Sequence, residues 1–443
     1  MKKVLVILYY WPPAGGSAVQ RWLKFCKYLP EYGWEPIVIA PENAHYTDLD
    51  PDLGQEIPEN IQILKVPIRE PHKLYKKFVG LNKDEEIGAY MTLKSEPKGL
   101  ARIKNEISVW IRSNVFIPDA RFLWVNPTFR FLKRYLKHNP VDAIITTGPP
   151  QSVHLIGLKL KSVLNIPWIA DFRDPWTSTD LHTALKLSRY AEKKHLRLES
   201  KVIMSADLII AIGNDMKDEF SRLGAKEIAV ITNGYDDPDL PEEPVDPDNV
   251  FSIVHLGTLH ATRNSNALWK ILSEKAASDE NFARELKINL IGTVDFKVIK
   301  EIEALGLGKN LSLAKFVRHQ EGIEILRRSQ VLLLLINKSN NAKGVITGKL
   351  FEYLAAARPV LLIGPVDGDA AGIVSETGCG LVAAFEDEEM IRKHIDHFFV
   401  LYQQNALNVQ PGSIERFSRR SLTQRLSGEL DRITALPVNQ HAK

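Results

Sequence analysis

Two cysteines in 443 residues, Cys26 and Cys379, are too few for a disulfide scaffold or a cysteine-built zinc site, and they point to a reducing compartment. No stretch approaches the roughly 18 consecutive apolar residues that a membrane-spanning helix needs. An excess of one charge is also lacking. The 57 basic residues against 54 acidic leave a net +3, which argues against a dedicated nucleic-acid binder and makes any basic face a local feature. Hydrophobic residues at 44% and charged residues at 25% describe a folded globular chain rather than a disordered, collagenous or coiled-coil one. At about 150 residues per domain, the length suggests two or three domains.

The first residues, Met1–Leu8, carry a basic start and an apolar run. That run is short and meets Tyr9-Tyr10-Trp11-Pro12-Pro13 without a small-residue cleavage site, so a first buried strand is expected rather than a secretory signal. Localisation is expected to be cytoplasmic, either soluble or peripheral on the inner face of the cell membrane.

Short continuous apolar runs alternating with helical patterns predict buried strands of parallel sheets. In the first half these runs are Val4–Leu8, Pro36–Ala40, Ala143–Thr147, Trp168–Ala170, Leu208–Ile212 and Ile228–Thr232, with a helix over Ala18–Tyr32. The second half restarts at Phe251–Leu256 and continues with Ile288–Ile291, Leu311–Phe316, Val331–Ile336, Val360–Ile363 and Leu381–Ala384. Between the halves, Asp236–Asp248 holds four prolines and seven acids and reads as a linker. The expected architecture is α/β with two Rossmann-like, doubly wound domains. The divisions are 1–235, an acidic linker over 236–250, a second domain over 251–410, and a terminal helix in 411–443 packed on the body. Ligands of such sheets bind beyond the carboxyl ends of the strands, and two facing domains would put that crevice between them.

One segment, about 71–137, breaks the rhythm. Its basic residues, among them Lys73, Arg102, Arg112, Arg130, Lys133, Arg134 and Lys137, interleave with Leu74, Phe78, Trp110, Phe116 and Trp124. Basic amphipathic helices with aromatic anchors can lie on anionic membrane surfaces, and a solvated helical insertion has the same composition.

Chemistry concentrates in Gly344–Pro359. Gly344, Thr347 and Gly348 form a small-residue loop entering a helix whose apolar face is Leu350, Leu354 and Ala357, and Arg358-Pro359 ends it before a strand. Free amides and the positive dipole end attract phosphate there. Lys349 in the first helical turn is unfavourable by about 0.3–1 kcal/mol in an empty helix, and a bound diphosphate reverses that sign. Glu352, three residues on, falls where ribose hydroxyls would lie. A second loop, Gly257 to Arg263, follows the strand Phe251–Leu256 with a glycine at its crest. If both loops share a sheet edge, Arg263 and Lys349 converge on two phosphates. The adjacent glycines Gly15-Gly16 before a helix allow close backbone approach to a ligand and match neither the dinucleotide nor the P-loop pattern. The Asp-x-Asp strings read as turns rather than metal ligands.

With these motifs the chain resembles the retaining glycosyltransferases of family 4, the "glycosyl transferases group 1" type, which have the GT-B fold. Gly348-Lys349-Leu350-Phe351-Glu352-Tyr353-Leu354-Ala355 with Arg358-Pro359-Val360 is similar to the family's nucleotide-sugar signature. Asn233-Gly234-Tyr235-Asp236 resembles the run closing its first domain. Pro12–Ser17 with Arg21 resembles its glycine-rich loop, and Asp171-Phe172-Arg173-Asp174-Pro175-Trp176 a run of bacterial surface-polysaccharide members.

The resemblance implies that Arg263 and Lys349 hold the diphosphate and carry catalysis. Glu352 would hold the ribose, and Gly15, Gly16, Gly257, Thr347 and Gly348 would line the donor site. Arg21, Asp171, Arg173 and Asp174 fall on the acceptor side. Three departures stand out: Gly344 replaces the first acid of the family's paired glutamates, Ala357 replaces a glycine and is expected to be harmless, and no histidine occupies the turn Thr147–Pro150. His154, on the following helix, is the nearest candidate for the active-site histidine.

The expected activity moves a sugar, with retention and without a metal or other cofactor, from a nucleotide-diphosphate donor to a glycan or lipid-linked acceptor. Membrane contact is an expected partner role and nucleic acid is not. Two alternatives are an epimerase of the same fold and a catalytically silent nucleotide- or glycan-binding partner in polysaccharide assembly.

Overall fold

The computed structural model describes residues 1–69, 107–236, 245–410 and 412–435, apart from 108, 112, 184, 316 and 318. Most of the basic segment, and linker residues 237–244, therefore lie outside the described residues. The chain divides into two compact units, Met1–Ile231 with Leu422–Lys443, and Thr232–Ser421.

The first unit holds a seven-stranded parallel sheet in the order β3-β2-β1-β4-β5-β6-β7. Its strands are β1 Lys2–Ile7, β2 Trp34–Pro41, β3 Gln62–Val66, β4 Ala143–Gly148, β5 Trp168–Phe172, β6 Leu208–Ala211 and β7 Ile228–Val230. Side chains alternate across β1. Leu5 and Ile7 enter one core with Trp168 and Phe172, while Val4 and Val6 enter another with Trp22 and Trp34. A strand buried on both faces reads as an uninterrupted apolar run.

Strand β3 has no such run, because it is an edge strand pairing with β2 and leaves Gln62 and Lys65 exposed. The α-helix Ser17–Tyr28 stops short of the expected Tyr32. Pro30 removes a donor, the chain tightens to a 3-10 turn at Leu29–Tyr32, and Gly33 at φ +83° ends it. The terminal helix Arg419–Ala435 buries Leu422, Leu426, Leu430 and Ile433 in the first unit's core.

The second unit repeats the design with six strands in the order β10-β9-β8-β11-β12-β13. They are β8 Phe251–Leu256, β9 Leu286–Ile291, β10 Leu311–Ala314, β11 Val331–Leu335, β12 Val360–Ile363 and β13 Gly380–Ala383. In each unit the opening strand, β1 or β8, has neighbours on both sides, so the winding reverses between β1 and β4 and between β8 and β11. Such switch points are where doubly wound sheets open a crevice at their carboxyl ends.

Candidate active site

In the second unit the switch point is built by three segments. β8 ends at Leu256 and turns at Gly257, whose φ of +105° is open to glycine at little cost. Gly257 N donates to Ile291 O at 2.6 Å, and a Cβ on Gly292 would meet Gly257 O at 2.7 Å, so the two strand-end crests are packed backbone to backbone. The loop continues to a 3-10 turn at Ala261–Arg263. Arg263 Nε donates to Asn337 Oδ1 at 2.6 Å, and Lys338 N donates to Thr262 O at 3.2 Å, which fixes this loop to the one following β11.

The third segment is the helix Gly348–Ala355, held down by buried Leu350, Phe351, Tyr353 and Leu354. Its N-cap Thr347 makes no side-chain cap bond, and Thr347 Oγ1 is buried without a hydrogen-bond partner. First-turn amides have no partner from a preceding helical turn; Leu350 N turns back to Thr347 O at 3.1 Å, which leaves the amides of Gly348 and Lys349 beside the unused Thr347 hydroxyl. The Gly344 position lies in a 3-10 turn, Ala342–Gly344, with Gly344 N on Asn341 O at 3.1 Å.

Lys349 brings the segments together. A Cβ on Gly257 would lie 2.6 Å from Lys349 Cε and 2.8 Å from Nζ, so the lysine crosses directly over the glycine crest. Its Nζ is 3.3 Å from His255 Nε2, and His255 Nδ1 is 3.0 Å from Leu333 O. Among the described residues, no carboxylate lies within ion-pair distance of this ammonium.

Burial, then repulsion from Arg263, pushes the Lys349 pKa down to about 8, with Glu352 partly opposing. The His255 pKa is lowered to about 3 by burial and by the neighbouring Lys349, so the ring is neutral. His260 is shifted down too, by burial and then Arg263. Arg263 and Lys349 thus share a field that disfavours further positive charge. Tyr353 Oη, behind them, accepts from Leu256 N at 3.2 Å. Ala357 has φ +53°, a left-handed conformation that costs an alanine about 1–2 kcal/mol, so alanine in place of glycine is not free of consequence.

In the first unit, the loop after β1 reaches Gly16 at φ +90°, which caps the helix Ser17–Tyr28. Gly15 N donates to Asp48 O at 3.0 Å, and its missing side chain lets Asp50 pack close. Arg21 and Asp171 are both fully buried and satisfy each other at 2.9 Å. Trp22 Nε1 and Thr147 Oγ1 each donate to Asp171 at 2.8 Å, and Arg21 also donates to Ile231 O at 2.9 Å. Every one of those contacts is internal, so this pair is part of the framework rather than a surface for an acceptor.

His154 is likewise fully buried. Its Nδ1 lies 2.9 Å from Thr146 Oγ1 and its ring stacks on Phe172 at 4.3 Å, beneath the Gly148 turn. It supports that turn and reaches no surface. Arg173 is partly exposed, binds Pro149 O, and has its backbone N on Gly148 O at 3.0 Å. Asp174 is exposed in the same loop.

Reading the sequence did not single out His255, Asn337 or Tyr353. Tyr353 lay within the quoted signature without a role, and His255 was, with Ser252, one of two polar residues in the run Phe251–Leu256.

Two doubly wound parallel units, the second with a cationic helix end at its switch point, define the GT-B architecture. Residues 93–238 match the family model Glycosyltransferase Family 4. The fold is similar to sucrose-phosphate synthase from Thermosynechococcus elongatus, at TM-score 0.62 and 12% identity over 98% of this chain and 100% of that one. It is similar to WaaG, a glycosyltransferase involved in lipopolysaccharide biosynthesis, at TM-score 0.55 and 12% identity over 96% and 99%. The lipopolysaccharide outer core galactosyltransferase WaaB aligns at TM-score 0.55 and 14% identity over 98% and 100%. No curated protein sequence matches the chain. The chain has the GT-B fold that these glycosyltransferases share.

Proposed function

We propose that this enzyme takes a nucleotide-diphosphate sugar as donor, bound in the second unit, and transfers the sugar with retention to a glycan or lipid-linked acceptor. The observation carrying this reading is the Lys349 ammonium, partly buried over Gly257 with a neutral histidine for its hydrogen-bond partner. A partly desolvated cation with no carboxylate at ion-pair distance is unfavourable, and a diphosphate supplies the counter-charge.

When the bond between the anomeric carbon and the diphosphate oxygen breaks, negative charge grows on the leaving phosphate. Arg263, Lys349, Thr347 Oγ1 and the first-turn amides of Gly348–Ala355 would stabilise that charge more in the transition state than in the ground state. No resident metal is needed for that neutralisation. Glu352 would take the ribose hydroxyls. A related fold is recorded with UDP-2-fluoro glucose bound, which supports a donor of this kind.

Docking on an anionic membrane surface fits the helix Val125–Tyr135. Phe131 is 38% exposed and stacks on Tyr135 at 6.3 Å, with Arg130, Lys133 and Arg134 exposed beside it. No helix among the described residues is long and apolar enough to cross a membrane.

A thermal-shift panel of nucleoside diphosphates tests the donor assignment. A ligand at 100 times its dissociation constant stabilises by about 2.7 kcal/mol, and Lys349→Ala and Glu352→Ala variants that remain folded should lose the effect. A panel in which no diphosphate shifts the midpoint overturns the reading. Salt-sensitive co-flotation with anionic vesicles is the expected result for the docking surface, and its absence removes that part.

A further inference from the structure

We infer that His255 is the positioning residue of the donor site: its Nε2 lone pair anchors the Lys349 ammonium over Gly257 while leaving the cation's charge unspent for a diphosphate. The inference rests on the donor reading above and deepens it.

The tautomer follows from the partners. Leu333 O can only accept, so His255 Nδ1, 3.0 Å away, must carry the proton. Its Nε2 then has a lone pair and can only accept, and the group 3.3 Å from it is an ammonium with three protons to give. The Leu333 carbonyl and the Lys349 ammonium both call for this tautomer, and the Thr258 backbone also hydrogen-bonds the ring. The ring is fully buried on β8, with no room for an alternative orientation toward water.

Sequence spacing places His255 two residues after Ile253 and four after Phe251, both in the core. A hydrophobe there would continue the pattern and leave Lys349 without its acceptor. A carboxylate would hold Lys349 but cancel its charge and repel phosphate. A neutral imidazole holds the ammonium and keeps the positive charge. The other ionisable groups around Lys349 are Arg263 and His260 on the loop after β8, and Glu352 on its own helix. None of them can substitute: two are on the cationic side of the field, and Glu352 is the group assigned to the ribose. Gly257 completes the device, since any side chain at that crest would occupy the path of the lysine.

Three variants of the full-length protein separate this role from a packing role: His255→Gln, His255→Leu and His255→Glu. The probes are inorganic pyrophosphate and a panel of UDP, GDP and ADP, titrated calorimetrically between pH 7 and 10. Wild type should bind a diphosphate with affinity falling through a midpoint near 8. His255→Leu should weaken binding roughly tenfold, the scale of one lost charge-assisted hydrogen bond, and move the midpoint down. His255→Gln, whose amide oxygen can accept in place of Nε2, should restore most of both. His255→Glu should move the midpoint up yet bind diphosphate more weakly than the leucine variant.

The unliganded wild type gives a readout independent of variant folding. Its ¹⁵N histidine spectrum should show His255 protonated on Nδ1 and bare on Nε2. A proton on Nε2 overturns the assignment, as does an unchanged midpoint in His255→Leu. A wild type that binds neither pyrophosphate nor any nucleoside diphosphate overturns the donor reading itself, and this inference with it.

Discussion

Lys349 lies across the face of Gly257 so closely that a methyl group on the glycine would stand 2.8 Å from the ammonium nitrogen. One residue comes from the crest after β8 and the other from the first turn of the helix Gly348–Ala355. The contact ties the loop after β8 to the opening of the helix Gly348–Ala355.

Gly257→Ala should therefore separate stability from binding. The lysine end is flexible and can move, so the folding cost comes from φ +105° and amounts to about 1–3 kcal/mol. The moved lysine should cost the diphosphate site far more than the fold. Denaturant midpoints alongside pyrophosphate affinity check this, and equal binding in the alanine variant would contradict it.

The proposed donor site should respond to pH through Lys349. Its folded pKa is near 8, below the ordinary 10.5, and the protonated form is the one that pairs with phosphate. Affinity should hold from pH 7 to about 8 and fall above it. Binding should take up a proton near pH 8.5 and not near pH 7. Calorimetry in buffers of different ionisation enthalpy measures that uptake, and Lys349→Met should abolish it.

Asn337→Ala should lower donor affinity roughly tenfold with little change in thermal midpoint. Asn337 Oδ1 is the acceptor that aims the Arg263 guanidinium, and a charge-assisted hydrogen bond is worth about 1.5–3 kcal/mol. The check is the affinity ratio at matched stability.

Asp171→Asn should destabilise the first unit by about 3–5 kcal/mol, because Arg21 is left as an uncompensated buried charge. The doubly apolar Arg21→Met, Asp171→Leu variant should recover much of that loss. The Arg21 guanidinium, with donors from Thr147 and Trp22, outweighs burial and holds the Asp171 pKa below 3.8. A depressed carboxylate contributes stability that is fully present above the unfolded pKa and is lost as pH falls toward the folded value. Acid unfolding of Asp171→Asn should lack that component.

Ala357→Gly should stabilise the second unit by about 0.5–1 kcal/mol. The relief of the left-handed conformation at φ +53° is offset in part by the freer unfolded chain. A rise in thermal midpoint checks it.

The fold class was legible because strands buried on both faces must be apolar throughout. Val4–Ile7 and Val331–Leu335 announce themselves for that reason, while the edge strand Gln62–Val66, with two exposed polar residues, does not. Arg263 and Lys349 were legible as cations in small-residue loops. Arg21 and Asp171 were legible as charges after strands, yet nothing local distinguishes a charge that meets solvent from one sealed in a core.

By itself the sequence determined two doubly wound units and a helix opening with a lysine, because periodicity and turn chemistry are local properties. Tertiary structure alone decided that Arg21 and Asp171 neutralise each other out of reach of solvent, and that His255, 94 residues from Lys349, supplies its lone pair. Parallel pairing of β8 with β11 brings His255 to Leu333, and the helix after β11 then lowers Lys349 onto His255. Those distances depend on strand order, which the chain expresses only once it is folded.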